Sequence, residues 1–382
     1  MLKKLNLLVA LAVVVAVGVI VVAMSRGVRT EGWELRGKEL HIYGPDYTLA
    51  RLAREIDEQA GDVGEVLLYD PEQRRTEAKV SLIVHGGLQV GDPDDEALGE
   101  LLVLDTVVCG DLRVEVTRRG SLGIYHSTVT TKSETLTVDQ CSQGYALRVD
   151  GRLEARDSYF LYMSGSASEV ARRTSRIVLH GVTFADCDGS AFQAVEADGS
   201  RLDIRESKFQ CAGYFGVVVD GLEGEPVRLV DSQLYGKLAD LALRGQGAEV
   251  ELLDCRFSRG KIKFYQAGGS AAILWTTAVR VVEEGTGRPL PGVRVVATST
   301  GARREVVEGT TEAEGRCSLV LTEYVATTTH PVRVDGHNNC TPHRIEARRG
   351  GRVLAAEPGF DACYRDATLT LEVPAAALAA AP

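Results

Sequence analysis

Methionine occurs three times in 382 residues, aromatic side chains make up 6%, and no Lys/Arg-rich block is present. Acidic residues outnumber basic ones by 53 to 43, a formal net charge of -10, which argues against nucleic acid as a partner. The scarcity of methionine and aromatics beside forty glycines argues against a helical bundle and fits an all-β chain of many turns. No cysteine precedes Cys109, which excludes a lipid-anchored lipoprotein start. The length leaves room for about two or three domains with real cores.

Charge is also missing from one long segment. Leu5 to Met24 is uncharged and apolar, with Lys3 and Lys4 before it and Arg26 and Arg29 after it. That length crosses a hydrocarbon core, so residues 1–30 are expected to be an uncleaved signal anchor. Cleavage stays open as the alternative, because Val21 and Ala23 suit a cleavage site. A glycine-rich β chain with eight cysteines belongs outside the cytoplasm, which places the bulk of this membrane-anchored chain in the extracellular or periplasmic space.

What is present is a repeat. "GRLEARDSYF", "SRIVLHGVTF", "SRLDIRESKF", "PVRLVDSQL" and "AEVELLDCRF" end at Phe160, Phe184, Phe209, Leu234 and Phe257, at spacings of 24, 25, 25 and 23 residues. A fixed period in that range signals a solenoid. Each copy adds a second alternating stretch, such as "FGVVVDG", closed by a glycine. Alternation turns one large column inward, Val129, Phe160, Phe184, Phe209, Leu234 and Phe257, and one small column, Ser127, Ser158, Val182, Ser207, Ser232 and Cys255. A leucine-rich repeat would need a helix and a regular asparagine, and both are absent.

With the copies aligned, residues 78–276 resemble the right-handed parallel β-helix family of exported proteins. That resemblance implies the fold and leaves the function open, since such scaffolds carry lyases, glycosidases, adhesins and inert surface proteins. Residues 31–77 are expected to cap the coil: Leu49, Leu52, Ala53 and Ile56 recur at helical spacing, with Asp46 placed to cap the first turn. After "ILWTT" the period stops. Pro291, Gly292 and Val293 before one strand, and Thr310, Thr311 and Gly315 before the next, make residues 278–374 resemble a carboxypeptidase regulatory-like, transthyretin-like β-sandwich. Residues 375–382 are expected to be a disordered tail.

Three features could carry chemistry. The bend column, three residues before each large one, reads His126, Asp157, Gly181, Glu206, Asp231 and Asp254. Stacked carboxylates at Glu206, Asp231 and Asp254 raise one another's pKa or recruit a cation such as calcium, and they are the acid/base candidates if the chain cuts polysaccharide. Acidic residues are also ordinary bend formers. The sequence lacks the "NTD", "DD", "GHG" and "RxPxxR" clusters expected of enzymatic β-helices. Secondly, His337, Cys340 and His343 in "HNNCTPH" are spaced like metal ligands, and Asn339-Cys340-Thr341 is formally a glycosylation sequon, which implies a surface loop. Thirdly, Cys187 and Cys211 fall about one rung apart, either as a disulfide or as two buried thiols, and Cys340 with Cys363 is the favoured bridge of the terminal module.

The expectation from sequence is a non-catalytic, membrane-anchored β-helix with a structural or binding role toward polysaccharide or another surface protein. It has no bound cofactor unless the acidic ladder takes calcium. The alternative is a carbohydrate-active enzyme using Glu206, Asp231 and Asp254.

Overall fold

The structure is a computed structural model describing residues 30–60, 66–106, 111–132, 144–164, 167–222, 224–363 and 367–379. The expected anchor, Cys109 and Cys141 lie outside these residues; among the described ones no helix is long and apolar enough to cross a membrane. The chain is mostly β, with long parallel sheets. It divides into two compact units, Met1–Ile177 with Phe184–Asp188, and Val178–Thr183 with Gly189–Pro382.

In the first unit the chain lays down strands in tiers of three, each strand joining one of three parallel sheets. Ser81–Val84, Gly87–Val90 and Leu101–Leu104 make one tier, and Arg113–Val116, Ser121–Tyr125 and Thr128–Thr131 the next. Register puts like on like: Leu82, Val114 and Leu147 in one column, Leu88, Leu122 and Leu153 in another, and Leu102, Val129 and Phe160 in the third. All nine are buried, because period-two alternation sends every second residue to the same side. The Phe160 and Phe184 rings stack at 4.7 Å.

The expected cap forms. Leu49, Leu52, Ala53 and Ile56 are the buried face of helix Leu49–Ala60. Its first turn is capped by Thr48, whose Oγ1 accepts from the Arg51 N–H at 3.2 Å, in place of Asp46. Residue 46 lies outside the first turn because Tyr47 and Thr48 are still strand. Parallel stacking also begins before residue 78, since Glu39–Ile42 pairs in parallel with Ser81–Val84.

The second unit repeats the pattern. Ile204, Leu229, Leu252 and Ile273 form one buried column, Phe209 and Leu234 a second, and Phe192, Val217, Leu241 and Ile262 a third. The expected boundary at 276–278 falls inside a single strand, Ser270–Glu283. Its first residues pair in parallel with Glu249–Leu253, its last with Ala367–Val373, and Arg316–Thr327 runs antiparallel along its length. A second, antiparallel sheet of Arg294–Ser299, Val306–Thr310, His343–Arg349 and Arg352–Phe360 shares a core with these strands through Val281, Val295, Leu321, Ile345 and Leu371. The expected tail is instead a short helix, Ala375–Ala379, because Ala377 and Leu378 pack against that core; residues 380–382 lie outside the described ones.

Candidate functional site

The bend column is a column of left-handed backbone. φ is 50° at His126, 47° at Asp157, 66° at Gly181, 52° at Glu206, 52° at Asp231 and 55° at Asp254. Glycine adopts this conformation without strain, and Asp and His are among the side chains that tolerate it best. The corner therefore selects the residue types that sequence alone reads as chemistry.

The small column completes the corner. Ser207 Oγ donates to the Arg205 carbonyl at 2.8 Å and accepts the Val182 N–H at 3.3 Å, and Ser232 Oγ accepts the Ser207 N–H at 3.2 Å. In the first unit, Ser158 Oγ donates to the Arg156 carbonyl at 2.6 Å and accepts the Ser127 N–H at 3.2 Å. Each hydroxyl thus satisfies backbone groups that the sharp bend withdraws from the sheet ladder.

The register stacks the three expected site carboxylates one tier apart, in unlike surroundings. Glu206 is exposed, whereas Asp254 is buried with its two oxygens accepting the Thr276 N–H at 2.8 Å and the Thr276 hydroxyl at 2.5 Å. Among the described residues no group of three or more His, Cys, Asp or Glu side chains is placed to hold a metal ion. Asp254 is thus occupied as a structural acceptor.

The "HNNCTPH" residues are also dispersed. His343 is fully buried, 3.9 Å from Glu305, whereas His337 is exposed and stacks on His330 at 4.9 Å. Cys340 is buried, which pushes its thiol up to about 11 and keeps it protonated. Asn339 is buried as well: its Nδ2 donates to the Thr341 carbonyl at 2.7 Å, so the sequon does not present an accessible amide. None of the six described cysteines is in a disulfide, which corrects the expected Cys340–Cys363 bridge and leaves Cys187 and Cys211 as the two buried thiols of the alternative. Cys187 Sγ lies 3.5 Å from the Ala185 carbonyl and Cys211 Sγ 3.4 Å from the Gly189 carbonyl, so each is engaged by local backbone as a small buried thiol.

Sequence reasoning missed three arrangements. In the second unit, Glu323 is fully buried and accepts from Arg259 at 2.7 and 2.9 Å and from Trp275 Nε1 at 2.8 Å. Burial raises its pKa and these donors oppose the rise. This ties the last tier to the antiparallel strand Arg316–Thr327. In the first unit, Glu39, His41, His85 and Thr117 form a chain of side-chain contacts at 3.2, 2.9 and 3.4 Å. Burial holds the His85 pKa below the usual histidine value, with His41 and Arg36 adding to the effect and Glu115 opposing it.

The third arrangement is open to solvent. Lys208, Gln210, Gln233, Tyr235, Lys237, Asp240, Ser258 and Lys261 line a 460 Å³ groove in the second unit. Around the adjoining corner, Tyr214 (55%), Tyr235 (43%), Leu238 (52%) and Tyr265 (55%) are strongly exposed. The Leu238 N–H donates to the Tyr214 carbonyl at 2.9 Å, and the Phe215 ring lies about equally far from Tyr214 and Tyr265, at 6.1 and 6.0 Å. The Arg244 guanidinium sits 4.7 Å over Phe215 and 5.8 Å over Tyr265, a cation attracted to both rings. Equivalent positions of successive copies carry unlike residues here, such as Lys208 beside Gln233 and Gln210 beside Tyr235, so no repeated letter marked them.

No family model matches the chain, and no curated protein does. Among solved structures it is similar to a 9R-lipoxygenase from Cyanothece PCC8801 at 14% identity over 26% of this chain and 17% of that one, with a TM-score of 0.19. A likeness that slight carries no argument.

Proposed function

We propose that the chain is an exported, membrane-anchored right-handed parallel β-helix with a carboxypeptidase regulatory-like β-sandwich module, acting as a non-catalytic scaffold that binds polysaccharide. In-register columns of Leu, Val and Phe support the coil, and the shared core of the terminal strands supports the module. The observation that carries the binding role is the exposure of Tyr214, Tyr235, Leu238 and Tyr265 in one unit, with Tyr235 lining the groove. Exposed aromatic faces held at and between strands offer flat apolar surface to sugar rings at little entropic cost. The left-handed corner supports the non-catalytic reading, because it accounts for Asp231 and Asp254 without a reaction.

The test is a polysaccharide panel with product detection, run on the chain from Thr30 onward. Retention of a polymer without cleavage is expected, weakened about tenfold or more by Tyr214→Ala with Tyr265→Ala, the scale of one or two lost base-sized stacking contacts. Release of oligosaccharide that disappears in the Glu206→Gln, Asp231→Asn, Asp254→Asn variant would establish the enzymatic alternative instead.

A further inference from the structure

We infer that the groove selects an acidic polysaccharide over a neutral one; this rests on the polysaccharide reading above and narrows it to a substrate class. The parallel register sets Lys208 beside Gln233 and Gln210 beside Tyr235, all four on the outward side of strands whose Phe209 and Leu234 fill the core. Lys237 and Lys261 line the same groove. Its one carboxylate, Asp240, is buried and occupied: it accepts the Gly236 N–H at 3.0 Å and the Ser258 N–H at 2.6 Å, with Lys261 Nζ 4.0 Å away. Lys261 in turn donates to the Gly236 carbonyl at 2.9 Å, so it is fixed in place.

Lys208 and Lys237 form no ion pair among the described residues. In a chain with 53 acidic and 43 basic residues, two uncompensated ammonium groups in one concavity stand against the sign of the molecule. Ammonium groups bind anions as point charges without demanding one geometry, which suits carboxylate or sulfate groups recurring along a polymer. The Gln210 and Gln233 amides supply donors and acceptors for hydroxyls, and the Tyr235 ring supplies a face for the sugar. A buried Asp240 that sequesters its own charge leaves the groove floor shaped while its rim stays positive.

The experiment is affinity electrophoresis of the full chain in mild detergent through gels holding alginate, dextran sulfate or neutral dextran. Retardation is expected in the two acidic gels and not in dextran, fading as salt rises because exposed charges are screened over roughly 10 Å at 0.1 M. Lys208→Gln with Lys237→Gln should weaken it about tenfold or more, the scale expected when charge-assisted contacts are removed. Lys38→Gln with Arg118→Gln makes the same charge change in the first unit and should leave retardation intact. Equal loss in both double variants would reduce the effect to net charge and overturn the inference. Retardation by dextran as strong as by alginate would keep polysaccharide binding and overturn the acidic selection, whereas no retardation in any gel overturns both. Separation of alginate from dextran sulfate would name the anionic group.

Discussion

The acidic corner column and the lysine-lined groove are built on neighbouring stretches of the same strands, yet they obey opposite rules. In the column, Glu206, Asp231 and Asp254 repeat at the period of the fold in one left-handed backbone conformation, a backbone need that suits the two aspartates. In the groove, Lys208, Gln233, Tyr235 and Lys237 share no repeated identity, and no backbone need accounts for them. A residue type that keeps the period of a stacked β chain reports on how the chain turns. Surface residues that depart from the period are where selection for a partner is to be sought.

The comparison breaks most sharply if the register itself is wrong. Phe209→Asp places an unpartnered charge in a buried column and should abolish cooperative unfolding of the second unit, seen as loss of the thermal transition by circular dichroism. A melt identical to the parent's would put Phe209 outside the core. Next in size is the corner. Asp231→Val forces a β-branched residue into left-handed backbone and should cost about 1–3 kcal/mol in denaturant titration, whereas Asp231→Gly should leave the midpoint unchanged or raise it. Equal behaviour of the two would detach the column from its backbone role.

A smaller effect tests the inner ladder. Ser207→Ala leaves the Val182 N–H and the Arg205 carbonyl each short of one partner and should cost about 1 kcal/mol. Ser207→Cys should recover part of it, since Cys255 fills the equivalent position with contacts to the Leu229 and Leu253 carbonyls. The smallest expected effect is acidic destabilisation through His85. Its folded pKa is lowered, so between the unfolded value of about 6.5 and that lower value the unfolded chain takes up a proton that the fold refuses. The stability it contributes is present above about pH 6.5 and is lost as pH falls. Melting temperatures of His85→Gln should fall less steeply than the parent's over that interval.

Much of the architecture was legible because inward columns need apolar residues at fixed spacing. The cap face of Leu49, Leu52, Ala53 and Ile56 and the Phe160 to Leu234 column follow from periodicity alone. The corner was legible as a position, while its role stayed open between bend and chemistry, because aspartate serves a bend and a reaction equally well. The strand Ser270–Glu283 was hidden because a change of neighbours from parallel to antiparallel ends the repeat without ending the strand. Neither the Arg259–Trp275–Glu323 cluster nor the groove could be read in advance, since each joins residues far apart in sequence through register that only the folded chain defines.

That uninterrupted strand also decides how the molecule bears load. Its partners run along both sides: Arg316–Thr327 on one, and Glu249–Leu253 followed by Ala367–Val373 on the other. Tension applied along the strand would act on these hydrogen bonds in shear, many at once, instead of peeling them singly. A hinge at residues 276–278 would have yielded first; a shared strand passes the force from one sheet arrangement to the next with no soft link between them.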